Sequence, residues 1–474
     1  MGLWRFGRSG KARPVALAML IASSAVLAQG NGPGRLITGA TIIDGISDTA
    51  LVGHALLIEG NSIRDVLQPG EAAPAGVETM DLSGKYIIPG LIDSHVHWLD
   101  WMGELFINHG VTSVVALAEL DHGTRDSSQA SHSLPRLYHS ANRPPFSSED
   151  SAADIRRVFI EWLAKKPDIA HFPTFNEKSA RAYELAATEA HKAGFMVFGH
   201  TENAADSIAA GHDVIEHVWG FTQAAMSEQE LLVFQRGDHL TWATFMSDDW
   251  DRLDQLIENA VDNGAYINPT LVYEWGGLSK DAGRREIDDY RVLSNPDLVY
   301  FPQNIAKSLL AKHRQIKNFS TRFENVPYVA NLPVEDRAEF EEGYRNVLEF
   351  MRRFVAAGGK IQAGTDTVSG AMPGLGVHQE MQMLVEAGIT PMRALQSATR
   401  WSAELLEGIG GKRGPAVIGS IEPGKRADLV VLDADPLADI LNTQKITNVM
   451  KDGRWVELGY HPEYYTFTEP SRSI

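Results

Sequence analysis

The chain has 474 residues, 44% of them hydrophobic and 22% charged, the proportions of a folded globular protein with room for one large core and a second module. A formal net charge of -18 argues against a nucleic-acid partner and for a soluble, self-repelling surface. There is no cysteine, so disulfides and thiolate metal sites are excluded, and any metal is held by histidine, carboxylate or a modified lysine.

In chain order, the first element is a secretory signal. Arg5, Arg8, Lys11 and Arg13 make a basic start, Val15 to Leu27 is apolar with small residues, and Val26-Leu27-Ala28 suits cleavage before Gln29. Residues 1–28 are therefore expected to be removed, leaving a periplasmic or secreted protein. The apolar run is too short to span a bilayer comfortably, so no stable membrane insertion is expected afterwards. Gly30 to Gly34 then forms a flexible exit.

Residues 35–88 read as short strands broken by turns, among them Leu36-Ile37, Thr41-Ile42-Ile43 and Ala55 to Ile58. Residues 415–460 repeat that texture in Ala427 to Leu432, Ile446 to Met450 and Trp455-Val456. Neither stretch is long enough for a core of its own. Together they predict one small β-sandwich made from both chain ends.

Between them, residues 89–414 alternate strand and helix. Strands are predicted at Thr112 to Leu117, Phe195 to Phe198, Val214-Ile215, Tyr266-Ile267 and Ile361 to Ala363. Helices are predicted over Ser151 to Ala164, Asn176 to Ala193 (ended by Gly194), Asp251 to Asn263 and Glu339 to Ala357. The pattern predicts an α/β fold, a (β/α)8 TIM-like barrel carrying the sandwich. The competing open doubly wound sheet needs a phosphate-binding fingerprint that is not found. Gly419 to Arg426 resembles a P-loop but ends in Arg where Ser or Thr should bind magnesium. Residues 275–345 are polar and helix-prone and read as an insertion shaping the mouth of the site.

His95-Val96-His97 closes the first barrel strand, and alternation places both imidazoles on one face. In a barrel, the chemistry gathers at the C-terminal ends of the strands. His171 follows Asp168-Ile169-Ala170, His200 follows Val197-Phe198-Gly199, His217 follows Val214-Ile215-Glu216, and Asp366 follows Ile361 to Thr365. Any one of these histidines alone reads as structural. As a set with Asp366 they predict a site for zinc, manganese or iron. His109, His191, His212, His239 and His313 look like surface residues and are given no role.

With those residues in view, the chain resembles the amidohydrolase superfamily, in its imidazolonepropionase-like and Xaa-Pro dipeptidase-like branch. The resemblance runs from about residue 36 to residue 457. It rests on Pro89 to His97, Ile215-Glu216-His217, Ala363 to Asp366 and Gly419 to Pro436. It implies a (β/α)8 barrel with a terminal β-sandwich, His95, His97 and Asp366 on one metal, and His200 and His217 on a second. In the branch, a carboxylated lysine ending the fourth strand bridges the two metals; here His171 takes that position, and Lys165 and Lys166 precede the strand. Neutral imidazole supplies no bridging oxygen, which makes His171 either a direct ligand of an altered site or out of register.

The cofactor expected is a divalent metal, zinc first, one or two per chain. Bound water with its pKa lowered toward about 7 would attack an amide carbonyl, with Asp366 as general base and then acid. Tyr273, past the seventh strand, and His378, past the eighth, are the substrate-binding candidates; Trp98 and Trp101 read equally well as an aromatic wall or as core. The expected partner is a small amide or dipeptide-like substrate, with a homo-oligomer left open. The rivals are a cyclic amide, imidate or heterocycle hydrolase with one metal, and a degenerate barrel kept as a binding protein.

Overall fold

The computed structural model describes residues 34–117, 120, 131, 133–235, 249–312, 334–367 and 371–464. The expected leader, His239 and His313 lie outside the described residues. Among the described residues, no helix is long and apolar enough to cross a membrane.

The chain begins with six short strands, β1 (Arg35–Thr38), β2 (Thr41–Ile42), β3 (Ala55–Glu59), β4 (Ser62–Leu67), β5 (Glu78–Asp81) and β6 (Tyr86–Pro89). Gly60, at φ 59°, makes the tight turn that folds β4 back on β3. One sheet has the order β4-β3-β1-β5, with β1 antiparallel to β3 and parallel to β5.

Eight parallel strands follow: β7 (Leu91–Val96), β8 (Val111–Ala116), β9 (Arg136–His139), β10 (Ala170–Phe175), β11 (Val197–Thr201), β12 (Val214–Glu216), β13 (Tyr266–Asn268) and β14 (Lys360–Ile361). Both of their faces are covered, so buried positions follow one another without alternation, as in β8, where every residue is buried. The ring closes at both seams. Asp168 N donates to His139 O between β9 and β10, and Val96 bridges Thr367 between β7 and the end of the β14 segment. The fold is therefore a closed (β/α)8 barrel, as the alternating pattern predicted. β9 had no expected counterpart: it is only four residues long and one of them is a buried arginine.

The helices fit their sequence signals closely. Ser151 caps the helix Ala152–Leu163 by accepting from Asp154 N, and the helix buries Ile155, Phe159 and Trp162. The last long helix before β14, Val334–Ala356, starts five residues earlier than periodicity predicts. The expected insertion carries the helices Ala282–Leu293 and Gln303–Lys312.

The C-terminal strands β15 (Leu429–Leu432), β16 (Ile446–Lys451) and β17 (Arg454–Trp455) join β6 and β2 in a second sheet, with order β17-β16-β15-β6-β2. Ile37, Leu56, Ile58 and Ile63 from the first sheet pack with Ile87, Leu429, Val431 and Met450 from the second, so both chain ends share one core. The P-loop-like Gly419 to Arg426 stretch is part of that layer, with Gly424 N and Lys425 O paired to Ile63.

One ion-pair cluster fastens the sandwich to the barrel. Arg136 on β9 is buried and reaches Asp428 Oδ2 at 2.7 Å and Asp452 Oδ1 at 2.8 Å, beside β15 and β16. Replacing Arg136 with Leu strands Asp428 as a buried, unpaired charge. The expected cost is about 3–5 kcal/mol, read as a lower midpoint in urea unfolding, with Arg136→Lys recovering part of it.

Candidate metal centre

The site sits where β7 meets the loop after β14. His95 Nε2 lies 3.6 Å and His97 Nε2 3.1 Å from Asp366 Oδ1. Among the described residues, these three form the one group whose ligand atoms all lie within 4.8 Å of each other. His95 and Asp366 are buried, while His97 keeps half its side chain exposed.

Local chemistry places them. Asp93, two residues before His95, accepts from Thr365 Oγ1 at 2.6 Å, from Thr365 N at 3.1 Å and from His95 N at 3.2 Å. Backbone bonds from Ser94 N to Ala363 O and from Asp366 N to His95 O lock the two segments in register. Gly364 allows that approach: a Cβ there would lie 2.6 Å from His95 Cβ and would strike Asn268 Oδ1. Asp366 itself is at φ 50°, His217 at 63° and Thr270 at 46°. Three non-glycine residues at the ends of β12, β13 and the β14 segment are thus held in the left-handed region, where strain gathers at functional sites.

His217 and His200 form the next layer. Their rings stack at 5.0 Å and their Nε2 atoms are 3.1 Å apart. His217 Nδ1 lies 2.6 Å from Thr270 Oγ1 and 2.8 Å from Glu274 Oε1. Burial, and then the neighbouring imidazoles, hold His217 well below the usual histidine range. Burial pushes His200 down to about 4, so both rings are neutral at pH 7, the form a metal ligand takes. Burial alone would raise Asp366, but the close His97 imidazole and those of His95 and His217 outweigh it and keep the carboxyl ionised.

His171 stands elsewhere than its expected place. β10 starts at Ala170 and runs on to Phe175, so His171 lies near the start of the strand, paired with Phe198 and below the level of His200. Its Nε2 is 3.1 Å from Glu216 Oε2, and its Nδ1 accepts from Arg143 Nε at 3.3 Å. It is not in the convergent group.

His378 is a correction. Its ring is buried in the helix Leu375–Glu386, with Nδ1 2.9 Å from Thr443 Oγ1 and Nε2 2.9 Å from His109 O. Both nitrogens are engaged in this packing and the ring is buried away from the mouth position expected of it. His212, expected at the surface, is buried against the Tyr183 hydroxyl at 3.0 Å. Tyr273 does face the site, its ring 6.4 Å from His217, and burial followed by the Asp366 charge keeps its hydroxyl protonated. Trp98 stacks on Phe106 and Trp101 meets Phe301 edge-on, and both tryptophans are core.

Glu216, Glu274, Asp93, Thr270 and Arg143 had no expected role. Glu216 did leave a signal, a carboxylate closing the buried strand begun by Val214-Ile215, where only a paired charge survives burial. The others become visible only once distant strands are brought together.

The donor set suits a cation. Asp366 Oδ1 is buried without an aligned hydrogen-bond donor, and two imidazole nitrogens converge on it. Two nitrogens and a carboxylate oxygen match zinc, manganese or iron.

A model of the amidohydrolase family matches residues 86–456. Curated relatives match only locally: a dihydroorotase of Trichlorobacter lovleyi is 46% identical over 68 residues, which are 14% of this chain and 15% of that protein. A dihydroorotase of Geobacter metallireducens is 40% identical over 67 residues, 14% of each chain. The chain thus spans about one-seventh of the length of these relatives. Among solved structures, a Xaa-Pro dipeptidase with bound methionine superimposes with TM-score 0.59 at 19% identity, covering 90% of this chain and 100% of that one. Molinate hydrolase gives 0.60 at 18%, covering 94% and 100%. At these identities the likeness establishes the fold.

Replacing Gly364 with Ala should force His95 away from Asp366. We expect a stability loss of about 1–3 kcal/mol and a lower metal content after dialysis, measured by thermal unfolding and elemental analysis.

Proposed function

This chain belongs to the amidohydrolase family, and from that premise we propose that it hydrolyses an amide bond in an N-acyl amino acid or dipeptide-like substrate, with Asp366 as the proton carrier. At the coarser level it is a hydrolase of carbon–nitrogen bonds. The observation that carries the finer reading is the meeting of His95, His97 and Asp366, with the Asp366 carboxylate ionised.

His95, His97 and Asp366 would hold a divalent cation, zinc first, which when bound supplies a water with its pKa lowered toward about 7 and polarises a carbonyl. Asp366 takes the proton of the attacking water and returns it to the leaving nitrogen. His217, fixed by Thr270 and Glu274, keeps Nε2 toward the site, and the protonated Tyr273 hydroxyl is suited to donate to a developing oxyanion or a substrate carboxylate. The basic and apolar leader supports export to the periplasm or medium.

A second reading, hydrolysis of a cyclic amide on one cation, is supported by the local match to dihydroorotases and by His171 lying outside the convergent group. A substrate panel of N-acyl amino acids, Xaa-Pro dipeptides and six-membered cyclic amides separates the two readings. In that panel, chelation should abolish turnover and added zinc should restore it. Asp366→Asn should lower kcat by about 10²–10⁴-fold. Metal-loaded protein that hydrolyses none of the panel would count against both readings.

A further inference from the structure

We propose that Glu216 is the positioning residue of this centre, a buried carboxylate that fixes His95 through Nδ1 and engages His171 and His200 on its other oxygen, so that the site takes a single cation on His95, His97 and Asp366. The inference rests on the metal reading above and names the residue that shapes its ligands.

Glu216 is the last residue of β12 and has no exposed surface. Because Ile215 pairs with Gly199, Glu216 stands level with His200, facing the ring of imidazoles. Its Oε1 is 3.0 Å from His95 Nδ1, an ion-pair distance at which neither atom has an aligned hydrogen bond, and its Oε2 is 3.1 Å from His171 Nε2 and 3.4 Å from His200 Nε2. Among the described residues no arginine or lysine forms an ion pair with it; Arg143 stops at His171. A buried carboxylate needs partners of this kind, and here all of them are imidazoles.

The tautomers follow from this. An imidazole has one N–H when neutral, and the partner of one nitrogen decides the role of the other. A proton on His95 Nδ1, facing Glu216, leaves the Nε2 lone pair directed to the Asp366 side. His171 has both nitrogens occupied: Nε2 lies 3.1 Å from Glu216 Oε2 and 3.3 Å from Arg143 Nη2, and Nδ1 accepts from Arg143 Nε. No lone pair remains for a cation. His171 therefore relays the Arg143 contact to Glu216, and Glu216 relays it to the ligand His95.

The test strips the full-length protein with chelator and reloads it with zinc or cobalt. One equivalent per chain is expected. Glu216→Gln keeps the shape but offers a single acceptor oxygen, so one imidazole must lose its partner or change tautomer. Its affinity, from competition with a chelator, should fall about 10–100-fold while the cobalt absorption spectrum stays that of wild type, the ligands being intact. Glu216→Asp, retaining the charge one methylene further back, should also weaken binding without altering the spectrum, and it carries the test if the Gln variant does not fold. His171→Asn, which keeps an N–H for Glu216, should still bind one equivalent.

A second equivalent on wild type that disappears in Glu216→Gln, or a cobalt spectrum changed in both Glu216→Gln and Glu216→Asp, would make Glu216 a ligand and overturn the proposal. So would loss of the cation in His171→Asn, or an affinity in Glu216→Gln within twofold of wild type. A wild-type chain that takes up no cation overturns the metal reading and this inference together. Equal binding by wild type and Glu216→Gln overturns this inference alone.

Discussion

Everything at the site depends on the seam where the first barrel strand meets the segment after the last. His95 and Asp366 are far apart in sequence, and only the pairing of Ser94 with Ala363 and of His95 with Asp366 brings their side chains together. Asp93 reinforces that seam from within, accepting from both the Thr365 hydroxyl and its N–H. A closed sheet has no free edge to slip along, so the register on which the site depends is fixed by the whole ring. Strain in the left-handed Asp366 and His217 is tolerated for the same reason, since the surrounding backbone bonds over-determine them.

The barrel also sorts its acids. Asp93 and Glu274 are pushed up chiefly by burial, Asp93 to about 7, and Glu274 further by the Asp366 charge. For Asp366 and Glu216 burial acts in the same direction, but surrounding imidazoles outweigh it and keep both below the ordinary carboxylate range. Residues of one chemical type within one layer thereby divide into carboxyls pushed up by burial and carboxylates held ionised at rest, the separation that acid–base chemistry at neutral pH requires. Composition alone says nothing of this. It follows from which strand end each acid occupies.

Much of this was legible in the sequence. His95-Val96-His97 after a Pro-Gly turn, the alternation of strand and helix, and the similar texture of the two ends carried the barrel, the sandwich and the triad of His95, His97 and Asp366. What stayed hidden has physical reasons. β9 is short and carries a buried arginine whose partners lie beyond residue 427, so no local pattern marks it. His171 was placed at a strand end because the run before it is apolar, yet β10 begins where that run stops. His378 looked like a mouth residue by its distance from Asp366, but its position on the helix turns it toward Thr443 and His109. Glu216 was read as part of a motif, since a lone acid in an apolar strand does not reveal which rings surround it.

The mixed sheet of the sandwich has a bearing on biogenesis. Tyr86 to Pro89 pairs with Leu429 to Leu432, so strands made before the barrel wait for partners synthesised after it. A nascent chain cannot bury Ile87 between its layers until the whole barrel segment and Met450 have emerged, and contacts so distant in sequence form slowly. The exposed apolar strands of that waiting state are a natural client surface for holdase chaperones.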